Sequence, residues 1–374
     1  MQRLQKGFGL VEIMVGLLVG LISMVIVLQV FQNAEGRKRN VTTGADAQSS
    51  GAIALYMIEN DARMAGWGMS PKQSAECEKL YTYCDGSPAC GGVEGPINGL
   101  NFAPLLITDG ADGGPDSVAV QYFADPENGS FQMPSKVKLA RTMPQPSAVL
   151  DVNSVSGCEE GDLIMLRQPG VCTLANITEI LDQGSKPKIQ HNPGKNGMFN
   201  PPASYQNENN WPRYGKGASV TCFKPTGVSA TFTKAYAIDL ATRRLERSDN
   251  GQAPELVMAD ILDLQAQYGV ANAGQQNVTS WVDANAAPWK SPGPSDWPRI
   301  KAIRMVVVAR ANQYERDQDG AGKCSTTTIK DGKVKGWPEW VSYNAEKYPA
   351  DWGCYRYRVF ETVVPLRNVI WSEI

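Results

Sequence analysis

Residues 8–31, FGLVEIMVGLLVGLISMVIVLQVF, form an apolar run broken by one ionisable side chain, Glu12. At about 1.5 Å of helical rise per residue this run is long enough to cross a hydrocarbon core of roughly 30 Å. Glu12 is then the anomaly. A carboxylate at the centre of a membrane helix costs about 2.5–3.5 kcal/mol on insertion scales, so it calls for a partner, a proton or a place near the headgroups into which it snorkels.

Met1 to Gly7 is a short polar leader carrying Arg3 and Lys6. A secretory signal peptide ends in small residues of the A-x-A kind, whereas Phe31 is followed by Gln-Asn-Ala-Glu-Gly-Arg-Lys-Arg, so that reading fails. Counting Arg3 and Lys6 against Arg37, Lys38 and Arg39 puts more positive charge beyond the helix than before it. Orientation therefore rests on the leader and on the cysteines rather than on that count. Gly16 and Gly20 form a G-x-x-x-G that permits close approach of a second helix.

Lys6-Gly7-Phe8, then Glu12, then an uninterrupted apolar run resemble the amino-terminal signal of type IV prepilins and of type II secretion pseudopilins. The resemblance implies cleavage between Gly7 and Phe8 by a membrane prepilin peptidase and N-methylation of the new amino terminus at Phe8. It also implies that Glu12 pairs with the amino-terminal charge of a neighbouring subunit as helices stack into a filament core. An acid that is costly in an apolar core thus receives its cation on assembly.

Eight cysteines, Cys77, Cys84, Cys90, Cys158, Cys172, Cys222, Cys324 and Cys354, all follow the apolar run. An even number confined to the expected exterior fits disulfides made in an oxidising compartment. The expected pairs are Cys158 with Cys172, Cys324 with Cys354, and Cys84 with either Cys77 or Cys90. Zinc is disfavoured, because no C-x-x-C occurs and the one histidine, His191, lies in a Pro- and Gly-rich stretch. With 36 Lys plus Arg against 38 Asp plus Glu, the balance gives no polycation for nucleic acid.

Beyond the run, Ala52, Leu55, Ile58, Ala62 and Ala65 recur at helical spacing, and Gly66 and Gly68 offer a stop. Gly36, Gly44 and Gly51 lie between and allow a bend. Strands are expected at 117–123, 136–140, 162–167, 172–180, 230–238, 263–270, 300–310 and 355–364, where β-branched and aromatic residues concentrate. In the last, Tyr355, Tyr357 and Val359 alternate with Arg356 and Arg358, which reads as a half-exposed antiparallel strand; an exposed sheet face is preferred to an anion site for the arginines. The long connections 183–217, 271–299 and 313–353 carry tryptophans, which suit either a protein-facing surface or satellite cores under the loops.

The expected fold is α+β: a long helix packed on a mainly antiparallel head with disulfide-stapled loops. It divides into a leader (1–7), a membrane and filament-core helix (8–31), an amphipathic continuation (32–68) and a β-rich head of one or two lobes (69–374). ALYMIENDARMAGWG (54–68), CEEGDLIML (158–166), ADILDLQAQYGV (259–270), WPRIKAIRMVVVARAN (297–312) and YRYRVFETVVPLRN (355–368) resemble the PilW-like minor pilins of type IV pili. That resemblance implies a filament subunit of the inner membrane and then of the cell surface, which primes assembly or sits at the tip beneath an adhesin. Its implied partners are other minor and major pilins, the prepilin peptidase and the inner-membrane assembly platform.

Enzymatic motifs are not met. One histidine leaves Ser-His-Asp and Cys-His schemes without a positioned imidazole. DGAGKCS (319–325) departs from a phosphate loop at both its first glycine and its Ser/Thr. Asp317 and Asp319 resemble half of a calcium loop that lacks the distal glutamate, so a solvated turn is the default there. No cofactor is expected. The competing classes are a secretion pseudopilin and a DNA-uptake pilus subunit, the latter predicting salt-sensitive duplex binding.

Overall fold

The computed structural model describes residues 9–68, 77, 79–90, 92–97, 102–123, 137–182, 184, 186–194, 197–224, 231–314, 326, 328–330, 332–341 and 351–371. Its first element is one unbroken helix, α1 (Leu10–Met64), which runs through Gly36, Gly44 and Gly51. The helix ends where Gly66 and Gly68 adopt φ of 74° and 73°, the left-handed conformation that other residues adopt at a cost.

The head half of α1 buries Ala47, Gly51, Ala54, Leu55, Ile58, Asp61, Ala62 and Ala65, a stripe of three- and four-residue steps. Ala52, expected in that stripe, is exposed, and Gly51 occupies the face instead. A Cβ built on Gly51 would lie 2.1 Å from the Phe360 ring and 3.0 Å from the Ala309 Cβ. Glycine is therefore what lets the helix approach the sheet this closely.

That sheet has four antiparallel strands in the order Ser280–Val282, Ile261–Val270, Ile300–Arg310, Tyr357–Pro365. The central strand Ile300–Arg310 is covered on both faces. Ile303, Met305, Val307 and Ala309 join the core beneath α1, while Val306 and Val308 join a second cluster with Leu262, Val334 and Tyr357. Trp337, Trp340 and Trp352 pack on this second cluster, and Trp289 and Trp297 are buried elsewhere in the head. Of the two roles left open for the loop tryptophans, Trp337, Trp340 and Trp352 take the satellite-core one, while Trp289 joins the core beneath α1 and Trp297 a core of the third sheet.

A second antiparallel sheet, Glu255–Ala259, Arg244–Asp249, Phe232–Asp239, Ser117–Tyr122, Leu105–Thr108, shares the core beneath α1. Its first two strands, an apolar but largely uncovered ELVMA and a polar RLERSD, were not expected from the sequence. The two sheets are tied by Asp116, whose N–H donates to Leu264 O at 2.7 Å and whose carboxyl accepts from Ala266 N–H at 2.7 Å and Gly110 N–H at 2.9 Å. The Ile107 N–H also donates to the Tyr268 hydroxyl at 2.6 Å.

Residues 79–223 supply a third sheet: Lys79–Tyr81, Val171–Asn176, Leu163–Gln168, Ser219–Phe223, Val137–Lys138. Its first pair is parallel and the others antiparallel. One face buries Leu163, Met165, Cys172 and Leu174; the other buries Ile164, Leu166, Ala175 and Cys222. A small sheet of Glu179–Leu181, Lys188–Gln190 and Leu150–Asp151 abuts the second face.

Disulfides join Cys77 to Cys172, Cys84 to Cys90, and Cys158 to Cys222. The expected pair Cys158–Cys172 does not form, because the two side chains lie in the cores on opposite faces of the third sheet. Of the alternatives for Cys84, Cys90 is taken. Cys354 is disulfide-bonded, and its expected partner Cys324 lies outside the described residues. A long apolar helix on a mainly antiparallel head carrying disulfides is the α+β, pilin-like arrangement expected.

Candidate functional site

The surface that most needs explaining is the amino-terminal half of α1. Over Leu10–Gln32 none of the apolar side chains is buried within the chain. Leu10 is 75% exposed and Phe31 69%. A fully buried Leu, Ile or Val stabilises by about 1.5–3 kcal/mol relative to exposure, so this stretch represents a large unsatisfied hydrophobic free energy. An aqueous surface does not carry so extended an apolar band without a lipid or protein cover.

Glu12 sits at the start of this band, at the third position of α1. Its Oε2 accepts a hydrogen bond from the Gly9 N–H at 3.2 Å, the backward-reaching half of a capping box. That bond uses one of the carboxylate's acceptor positions, and no cation among the described residues pairs with it. The expected processing pair Gly7 and Phe8 lies outside the described residues. Gly16 and Gly20 have nothing within 4 Å of a built Cβ, so both lie open on the helix surface. Ser23, a hydroxyl within the band, donates to Val19 O at 2.8 Å and is satisfied by its own helix.

The same helix changes character at its head end. Asp61 accepts from the Lys234 ammonium at 3.0 Å and the Tyr236 hydroxyl at 2.5 Å, tying α1 to the second sheet. Burial works against the Lys234 charge, but the hydrogen bond and charge of Asp61 outweigh it, so the ammonium titrates above its usual range. This lock was missed in the sequence, although a charged residue three positions after Ile58, inside an apolar stripe, was a visible signal.

The remaining candidates are resolved by their surroundings. Cys84, Asp85 and Cys90 lie close together, but both sulfurs are in one disulfide and offer no thiolate to a metal. His191 is buried with Nε2 2.9 Å from Ala148 O, and burial pushes its pKa down, so it is a neutral core histidine at neutral pH. Asp317, Asp319 and residues 319–325 lie outside the described residues. Arg356 and Arg358, read as an open sheet face, line a cleft together with Lys335, which the sequence did not single out.

Two family models match the chain. That of the type IV pilus-assembly protein W matches residues 230–368, the segment that builds the sheet under α1 and most of its neighbour. That of the prokaryotic N-terminal methylation motif matches residues 2–28, most of the exposed apolar band and the residues before it. Neither the curated proteins nor the solved structures include a match. Both families are structural pilus components rather than enzymes. The apolar helix and the methylation motif are consistent with membrane anchoring and display on a pilus. The matches at the two ends of the chain support one description, a PilW-like, type IV pilus-related subunit with a prepilin-type amino terminus.

Proposed function

We propose that the chain is a minor pilin of a type IV pilus, a structural subunit that enters the filament through α1 and primes assembly or contributes to the tip. In this reading it first spans the inner membrane once with its head in the periplasm. The prepilin peptidase cuts between Gly7 and Phe8 and methylates Phe8, and the assembly platform then moves the helix from lipid into a bundle of neighbouring pilin helices.

The observation that carries the reading is the fully exposed apolar band of Leu10–Gln32 with one carboxylate at its head. Lipid covers such a band before assembly, and other helices cover it afterwards. Among the described residues Glu12 accepts from its own Gly9 N–H and from no cation; in a filament the amino-terminal charge of a neighbour supplies the cation. Gly16 and Gly20 supply the close approach that helix packing requires without a hydrophobic driving force. Other minor and major pilins, and a large adhesin at the tip, are the partners that follow.

Glu12→Val makes the helix more apolar, so membrane insertion is retained while incorporation into sheared pili falls at least tenfold. Immunoblots of membrane and pilus fractions read both quantities. Gly7→Ala leaves the leader attached and abolishes incorporation, read by mass spectrometry of the amino terminus. Normal incorporation of the Glu12 variant removes that residue from the mechanism, and wild-type protein that begins at Met1 without methylation refutes the processing step.

A further inference from the structure

A cleft of about 570 Å³ opens on the head where α1 passes the edge strand Tyr357–Pro365. Gln48 of α1 forms part of its wall, together with Thr328, Lys335, Arg356, Arg358 and Phe360. Among the described residues that line it, three are cationic and none is acidic, in a chain whose formal net charge is −2. Among the described residues neither Lys335 nor Arg358 makes an ion pair.

The walls are fixed by hydrogen bonds that do not use the side chains of Lys335 or Arg358. The Tyr357 N–H donates to Thr328 Oγ1 at 3.0 Å, the Lys335 N–H to Thr328 O at 2.7 Å, and the Tyr357 hydroxyl to Trp352 O at 2.8 Å. Phe360 lies against Gly51, which sets the cleft beside the helix. A positively charged concavity on a scaffold held this way loses little conformational freedom when an anion enters.

Position separates the anions available. Gln48 lies about 24 Å along α1 from Gln32, where the apolar band ends. That exceeds the Debye length of about 8–10 Å at physiological salt, so headgroup charge is screened at the cleft. One wall, however, is α1 itself, whose preceding half is covered by neighbouring subunits in a filament.

We infer that this cleft receives a carboxylate-bearing segment of a neighbouring pilus subunit, with Lys335 and Arg358 pairing its acids. The inference rests on the pilus reading for the identity of the neighbour. Guanidinium groups suit the task because they bind carboxylates bidentately. Duplex DNA is the competing polyanion, but it calls for a stripe of phosphate contacts rather than one cleft.

The test uses the mature full-length chain in detergent and a fluorescently labelled deca-glutamate peptide, with a labelled 20-bp duplex at the same ionic strength as the other arm. The expected result is deca-glutamate binding that weakens at least tenfold in K335E/R358E and less than twofold in K216E, an exposed cation elsewhere on the head. Thermal melts matching the wild type establish that the double variant folds. In cells, K335E/R358E is expected to lower recovery in sheared pili severalfold. Unchanged deca-glutamate affinity in the double variant overturns the cleft whatever Glu12→Val does, as does tighter binding of the duplex than of the peptide by the wild type. Absence of the wild-type chain from sheared pili instead overturns the pilus reading.

Discussion

The two halves of α1 are one continuous helix, yet their surfaces obey opposite rules. From Leu10 to Gln32 apolar side chains point in every direction and remain exposed. From Ala47 to Ala65 a stripe of them is covered by two sheets, while Ala52, Ile53 and Tyr56 on the other side remain exposed. Each half also carries an acid. Asp61 has both a cation and a hydroxyl from its own chain, whereas Glu12 has one backbone N–H. The head half is thus satisfied by folding, and the other half is left for something outside the chain to satisfy.

Glycines give the most direct way to break this comparison. Gly51→Val places a side chain where the Phe360 ring already stands, so the helix or the edge strand must shift. Overpacking of this kind costs about 1–3 kcal/mol, and with Ala309 also in contact the upper end is expected in chemical unfolding of the detergent-solubilised chain. Gly20→Val meets nothing within 4 Å, so the same measurement leaves stability within about 0.5 kcal/mol of wild type. Its expected effect is confined to assembly, as reduced recovery in pili. If Gly20→Val destabilises the lone chain as much as Gly51→Val, the two halves are not distinct in the way described.

What the sequence made legible follows the same division. Features set by local chemistry were readable: the apolar run, Glu12 at its head, the glycine stop at Gly66 and Gly68, and the β-rich core strands. Features set by which faces meet were not. Gly51 looked like a helix weakener until Phe360 was placed against it. Cys158 and Cys172 are near in sequence, but the strand between them turns their side chains into different cores. Lys335 and Arg356 are separated by 21 positions and converge only because Thr328 joins the hairpin at Ile329–Val334 to the edge strand. Arg244–Asp249 was missed because its polar residues alternate weakly, and it pairs on an exposed part of its sheet.

Asp61 sharpens the comparison from the head side. Asp61→Asn removes the charge facing Lys234, whose side chain is only 21% exposed, and leaves an ammonium half-buried without its anion. Fully breaking a buried pair costs about 3–5 kcal/mol, and the partial exposure of Lys234 reduces the expectation to about 2 kcal/mol. Adding Lys234→Met is expected to recover part of that loss. Denaturant unfolding of both variants measures this coupling, and a single variant as stable as wild type would remove the lock from the account of how α1 is held.

Asp116 tests whether the two sheets under α1 form one support. Burial pushes its carboxyl pKa up to about 7, even though the Gly110 and Ala266 N–H groups favour the ionised form. Because the folded-state value lies above the ordinary carboxylate value of 3.8, the folded chain holds this proton more tightly than the unfolded one. Its contribution is therefore fully present below about pH 4 and is lost as pH rises towards 7. Asp116→Asn keeps a neutral side chain of the same shape, so the melting temperature of the variant is expected to depend less on pH across that window than the wild type's. Since Asp116 joins Ser117–Tyr122 to Ile261–Val270, the pH-dependent loosening should also reach the stripe of α1 that rests on both sheets, while leaving the exposed band unchanged. Hydrogen exchange at pH 5 and pH 7.5 distinguishes the cases: equal protection of residues 54–62 at both values, after correction for the intrinsic exchange rate, means the sheets support the helix independently.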